Sequence, residues 1–463
     1  MSVPVIAIVG RPNVGKSTLF NRLTKTRNAL VADLSGLTRD RQYGEGRMGD
    51  RPFIVIDTGG IGEESQEIED IMTGQAKLAI TEADHVLFVV DGRVGMTPAD
   101  ENIASLLRAQ RKPVSLVVNK TDGIDIDVAC ADFFKFGFSK PFAIAATHGR
   151  GVTTMVDTVL ELLPESLEDQ MPTDHGIRLA IVGRPNVGKS TLVNRMLGEE
   201  RVVVYDLPGT TRDSIYIPLE RRGQRYTLID TAGIRRRGRV EEGVEKFSVV
   251  KTLQAIESAD VVLILFDAQE GVSDQDLHLL GFVIDAGKAL VIAVNKWDNL
   301  SEDQKDKTKR DMDRRLDFAD FAKTRCISAL HGTAVGDLFP LIEEAYECSR
   351  RKINTPEINQ LLALAVQGHQ PPLIHGRRIK LRYAHAGGQQ PPLIVIHGNQ
   401  TESVPITYKR YLSNFFRKQL KLYGTPIRIE FVTGTNPFAG KKNVLTLSQK
   451  KHRQRMQDRN KKK

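Results

Sequence analysis

The string VGRPNVGKST stands at residues 9–18 and again at 182–191, and the residues beyond the two copies keep step with each other. Asp33 and Gly36 match Asp206 and Gly209, TRD at 38–40 matches 211–213, and DTGG at 57–60 matches DTAG at 230–233, all offset by 173. Between 61 and 83 the second copy gains three residues, part of a basic stretch RRRGR at 235–239, and the register then resumes at an offset of 176. ADHVLFVVD ending at Asp91 answers ADVVLILFD ending at Asp267, and each is followed 28 residues later by NKTD at 119 or NKWD at 295. Four motifs in one order at one spacing, twice over, indicate a tandem duplication of a domain of roughly 165 residues.

Within each copy, short Val, Ile and Leu runs such as 5–9, 53–56, 86–90 and 114–118 alternate with longer helical stretches. Apolar runs buried on both faces are parallel strands, so each copy is expected to be an α/β domain with a doubly wound, mostly parallel sheet. Its ligand should lie beyond the carboxyl ends of the strands, where all the repeated motifs fall. The 463 residues exceed one core and fit about three domains. The expected layout is a first copy at 1–164, an acidic linker at 165–176, a second copy at 177–349, a small basic α/β domain at 350–440 and a basic disordered tail at 441–463.

At 40% hydrophobic and 27% charged residues, the composition is that of a soluble globular protein. MSVPVIAIVG lacks a basic n-region and reads as a strand, and the longest apolar run, VVLILF at 261–266, is far short of the ~18 residues that span a bilayer. No membrane partner and a cytoplasmic location are expected. Cys130, Cys326 and Cys348 stand far apart without a C-x-x-C pair, which points to buried thiols in a reducing compartment.

The charge is unevenly placed. From Arg350 onward there are 23 Lys and Arg against four acids, a net of +19 in a chain whose total is +9. A polyanion-binding C-terminal part on an acidic body is expected, with nucleic acid as the usual partner. There Thr355 followed by Pro356 is an N-cap and first-turn signal for a helix bearing Ile358, Leu361, Leu362 and Ala365. RIKLRYAHA at 378–386, LIVIHG, a helix at about 407–423 and PIRIEFV at 426–432 complete an α-β-β-α-β order. Phe415 and Phe416 read as core residues, and KKHRQRMQDRNKKK as an electrostatic arm.

The repeated motifs specify chemistry. Gly10, Arg11, Pro12, Asn13, Val14, Gly15, Lys16, Ser17 and Thr18, like Gly183, Arg184, Pro185, Asn186, Val187, Gly188, Lys189, Ser190 and Thr191, fit a G-x-x-x-x-G-K-S loop between a strand and a helix. Its backbone N–H groups wrap phosphate at a helix N-terminus. Lys16 and Lys189 would reach the β and γ phosphates, with the Ser17 and Ser190 hydroxyls on Mg²⁺. Asp57 and Asp230 would hold the magnesium shell and the amides of Gly60 and Gly233 face the γ-phosphate, while Thr38 and Thr211 lie in Gly-rich loops that order around Mg²⁺. Asn119, Lys120 and Asp122, and Asn295, Lys296 and Asp298, form N-K-x-D. Its carboxylate meets the adjacent N1 and N2 donors of guanine, which adenine does not present. Ser328 and Ala329 in SAL at 328–330 fit the loop whose amide meets the guanine carbonyl; the first copy has AAT at 145–147, where Ala146 supplies the amide but no serine hydroxyl braces the loop.

These residues resemble P-loop GTPases of the translation-factor-related class. More narrowly, GRPNVGKS in both copies, an acidic linker and a basic C-terminal domain resemble the Der (EngA) family of bacterial ribosome-assembly GTPases. The resemblance implies GTP hydrolysis to GDP coupled to binding and maturation of the large (50S) ribosomal subunit and its rRNA, and a KH-like fold at 350–440. No two glycines there have the G-x-x-G spacing that clamps single-stranded RNA, which favours a basic face against folded rRNA or the neighbouring GTPase domain. Where small signalling GTPases carry a water-orienting glutamine, this chain has Ile61 and Ile234. In related GTPases an asparagine at the place of Asn13 and Asn186 helps bind K⁺, so K⁺-stimulated hydrolysis by a monomer is expected. The competing expectation is an RNA-binding scaffold that holds GTP with negligible turnover.

Overall fold

The computed structural model describes residues 3–24, 42–46, 48–58, 79–110, 112–163, 176–198, 202–204, 216–229, 249–374 and 377–433. These fall into two compact units. The first comprises Met1–Lys352 with Gly388–Pro392 and Leu420–Arg428, and the second Ile353–Gly387, Leu393–Gln419 and Ile429–Lys463. Apart from Gly176, the expected linker lies outside the described residues, as does the tail.

The first copy contains β1 (Val5–Val9), β2 (Gln42–Gly46), β3 (Phe53–Asp57), β4 (His85–Asp91), β5 (Val114–Asn119) and β6 (Phe142–Ala143). Among the described residues they form a sheet in the order β2-β3-β1-β4-β5-β6, parallel except at β2–β3. Every residue of β1, β3 and β4 is buried, the physical reason for their unbroken apolar runs. Helices α1 (Lys16–Thr24), α2 (Pro98–Ala109), α3 (Ile126–Ala131) and α4 (Val152–Leu162) connect the strands. From β1 the chain winds to one side of the sheet for β3 and to the other for β4, which opens a crevice at the carboxyl end of β1.

The second copy repeats this with β7 (Ile177–Gly183), β8 (Val202–Val204), β9 (Tyr216–Arg221), β10 (Gln224–Ile229), β11 (Val261–Asp267), β12 (Ala289–Asn295) and β13 (Lys323–Cys326). Their order is β13-β12-β11-β7-β10-β9-β8, with antiparallel pairing at β10–β9 and β9–β8. Its helices are α5 (Lys189–Leu197), α6 (Val249–Ser258), α7 (Asp274–Asp285), α8 (Glu302–Arg315) and α9 (Leu338–Arg350). In both copies the helix that follows β4 or its counterpart β11 opens with a reciprocal cap: Thr97 with Asp100 on α2, and Ser273 with Asp276 on α7.

The C-terminal region has α10 (Thr355–Gly368), a short hairpin β14 (Leu373–Ile374) and β15 (Arg377–Arg378), β16 (Lys380–Gly388), β17 (Leu393–Asn399), α11 (Ile406–Gln419) and β18 (Arg428–Thr433). The expected α-β-β-α-β order is present, with the hairpin added. Asn359 on α10 clips β16, donating to and accepting from the Ala384 backbone at 2.8 and 2.9 Å. Phe416 is fully buried and Phe415 half-buried, so the core reading fits Phe416 better. Two expectations are corrected. The N-cap is Asn354 rather than Thr355, because the Ile358 N–H already bonds the Asn354 carbonyl at 3.1 Å. Cys130 is buried, but Cys326 and Cys348 are half-buried, Cys326 on the edge strand β13 and Cys348 near the end of α9. Among the described residues no helix is long and apolar enough to cross a membrane.

Candidate functional site

Each glycine-rich loop sits in the crevice between a central strand and the helix that follows it. Asn13 and Asn186 take the left-handed conformation at φ 64° and 63°, which asparagine tolerates better than most residues. Gly15 and Gly188 follow at φ 95° and 98°. A Cβ there would stand 2.4 Å from Asn119 Nδ2 or 2.3 Å from Asn295 Nδ2, so these positions need glycine for space as well as for backbone angle.

The asparagine that demands this space joins three motifs. Asn119 Nδ2 donates to the Val14 carbonyl at 2.8 Å while its Oδ1 accepts from the Ala146 N–H at 3.0 Å. Asn295 does the same with Val187 at 2.8 Å and Ala329 at 2.9 Å. The phosphate loop, N-K-x-D and the 145–147 or 328–330 loop thus close around one crevice in both copies.

Lys16 Nζ donates to the Gly10 and Arg11 carbonyls, both at 2.8 Å, and Lys189 Nζ to those of Gly183 and Arg184 at 3.0 and 2.8 Å. Burial pulls the Lys16 ammonium below its ordinary pKa, against the opposing pull of Asp57, which is itself buried at the end of β3. Ser17 and Thr18 are exposed beside it, and Ser190 and Thr191 half-buried. Thr38, Gly60, Thr211, Asp230 and Gly233 lie outside the described residues.

At the other end, Lys120 and Lys296 also adopt positive φ, 64° and 63°. Lys120 Nζ reaches Asp91 at 2.7 Å and the Asn13 carbonyl at 2.7 Å, and Lys296 Nζ reaches Asp267 at 2.5 Å. Burial pushes Asp91 upward, but Lys120 and the Arg93 and Val94 N–H groups outweigh it and hold the carboxyl below its usual range. The Asp298 carboxyl is lowered as well, mainly by a hydrogen bond from the Ser328 hydroxyl, with His331 3.4 Å away. Asp122 is paired instead with Arg93.

Two arginines that the motifs do not include brace the amide loops. Arg22 donates from Nε to the Ala146 carbonyl at 3.1 Å and also bonds Thr147, and Arg195 donates to Ala329 at 3.4 Å and bonds Leu330. They tie α1 and α5 to the loops that carry the amides. The available signal was the N-R pair shared by STLFNRL at 17–23 and STLVNRM at 190–196. The loop arginines are tied back too: Arg11 to Asp100 at 3.4 Å, and Arg184 to Asp276 at 3.0 Å and Glu270 at 2.8 Å.

Comparison with known proteins agrees with this doubling. A family model described as a 50S ribosome-binding GTPase matches residues 5–120 and 178–296, and one described as the KH-domain-like C-terminal part of EngA bacterial GTPase enzymes matches 352–431. The chain is 61% identical to GTPase Der of Thioalkalivibrio sulfidiphilus over 463 residues, all of both chains. It is 61% identical to GTPase Der of Saccharophagus degradans, covering 96% of this chain and 94% of the relative, and 60% identical to that of Hahella chejuensis, covering 98% and 96%.

Proposed function

The chain belongs to the GTPase Der family and is a GTP-binding, GTP-hydrolysing protein with ribosome-binding GTPase domains; from that premise we propose that it binds rRNA and acts in assembly of the large ribosomal subunit, as a cytoplasmic monomer. The observation that carries the reading is one chain joining two equivalent nucleotide crevices to a region of net charge +19. A charge of that size favours a polyanion and predicts steep salt dependence.

In this reading Gly10–Thr18 and Gly183–Thr191 cradle the phosphates, and Asp122 and Asp298 read guanine. Lys16 and Lys189 leave their own loop carbonyls to meet the β and γ oxygens, where fixed positive charge stabilises the charge that builds up during transfer to water. The hard oxygen donors Ser17 and Asp57 suit Mg²⁺, joined by Thr38, with Ser190, Thr211 and Asp230 as their counterparts. The bound ion would neutralise phosphate charge. Gly60 and Gly233 would supply γ-phosphate amides, and the exposed Asn13 and Asn186 would face K⁺.

Co-sedimentation with purified ribosomal subunits in apo, GDP and non-hydrolysable GTP states, at two salt concentrations, tests the assignment. Binding to the large subunit with the GTP analogue is expected. Equal binding to both subunits in every state would defeat it, and equal GTPase rates in Na⁺ and K⁺ would remove the role given to the asparagines.

A further inference from the structure

The carboxylate at the end of each N-K-x-D motif has a different side-chain neighbour in each copy. In the second copy Asp298 has His331 Nε2 3.4 Å from its Oδ2 and its carboxyl is lowered mainly by Ser328, and the residue matching Ser328 in the first copy is Ala145, which has no side-chain donor. The first copy instead places Arg93 on Asp122, through Nη2 to Oδ2, and the residue matching Arg93 is Gln269. The backbones agree: the Arg93 N–H donates to Asp91 Oδ1 at 2.9 Å, and the Gln269 N–H to Asp267 Oδ1 at 2.9 Å. Only the side chains have been exchanged.

A carboxylate that must accept two adjacent N–H groups of a base gains from a fixed plane. Each of its oxygens has two lone pairs, so one protein donor can set the orientation while acceptor capacity remains for the ligand. We propose that Arg93 is the positioning residue of the first guanine site, supplying to Asp122, from the loop after β4, the side-chain donor that Ala145 lacks. The proposal rests on the assignment of Asp122 as the guanine-reading group. Arg93 and Asp122 side chains are 53% and 36% exposed, which sets a modest effect.

The test uses the full chain carrying Lys189→Ala, so that nucleotide binding reports the first site, with GDP and with inosine diphosphate, which lacks the N2 amine. Arg93→Gln is expected to weaken GDP about five-fold and inosine diphosphate less, which narrows the preference between them. Arg93→Gln with Ala145→Ser is expected to restore both affinity and preference, a rescue that a merely structural role would not produce. Unchanged affinities in Arg93→Gln, tighter GDP binding, or an equal loss for both nucleotides without rescue would each overturn the proposal. If the parent chain showed no preference for GDP over inosine diphosphate, the guanine assignment of Asp122 would fail, and Arg93's role with it.

Discussion

Where the first copy buries His85 against Ser115, the second has Val261 and Val291 at the matching positions of adjacent strands. Where Arg184 holds two carboxylates, Arg11 holds Asp100, and the residue matching Glu270 is the exposed Val94. Yet the bonds from Asn119 and Asn295, and from Lys16 and Lys189, agree partner for partner. The groups assigned to ligand are duplicated, while some of those behind them, unlike Arg22 and Arg195, have drifted into different solutions. A bound phosphate or base dictates the geometry of what touches it, whereas a support needs only to hold its neighbour in place.

The strongest way to break this equivalence is at the base end. Asp122→Asn and Asp298→Asn, made separately, should each lower guanine preference at their own site on the order of 10³- to 10⁴-fold, because an amide cannot accept both N–H groups. Calorimetric GDP stoichiometry should fall from two sites to one in either variant. Two undiminished sites in one of them would mean that the copies read their ligands differently.

The buried histidine gives a smaller and pH-dependent contrast. Burial lowers the His85 pKa from 6.5 to about 4, and its Nδ1 has no partner among the described residues. Below pH 6.5 the unfolded chain takes up a proton that the folded chain refuses until about pH 4. The first copy therefore loses stability as pH falls through that window, by up to about 3 kcal/mol, and regains it as pH rises. His85→Val with Ser115→Val recreates the pair of the second copy and should flatten the dependence of the denaturation midpoint on pH between 7 and 4.5. Parallel slopes in parent and variant would assign the acid sensitivity elsewhere.

The same division between ligand-facing and supporting groups explains what could be read from sequence. Both phosphate loops and both N-K-x-D motifs were legible because their chemistry fixes residue type and spacing over a few positions. The central strands were legible because burial on both faces writes an unbroken apolar run. Arg22, Arg93 and Arg195 act across 124, 29 and 134 residues of chain, and a surface arginine looks alike whether or not it has a distant partner. β2, β9 and the hairpin β14–β15 lacked such runs, since β2 is QYGEG and β9 alternates around Pro218, and the edge strand β8 is a run of only three valines. The cap of α10 slipped by one residue because Asn354 and Thr355 are both suitable cap types.

The smallest expected effect lies at Glu270. Its side chain is 62% exposed, whereas Asp276, the other partner of Arg184, is fully buried and already joined to Ser273 by the cap of α7. An exposed ion pair contributes about 0–1 kcal/mol, since water solvates both charges nearly as well and salt screens what remains. Glu270→Val, which installs the residue of the first copy, should therefore move the thermal midpoint of the second by no more than about 2–4 °C, and by less in high salt. Nucleotide affinity at the second site should hold, because Asp276 still fixes the arginine from the buried side. A loss of GDP affinity without a loss of stability would instead show that Glu270 sets where Arg184 stands in the phosphate loop, and the two copies would then differ at the phosphate end as well as behind it.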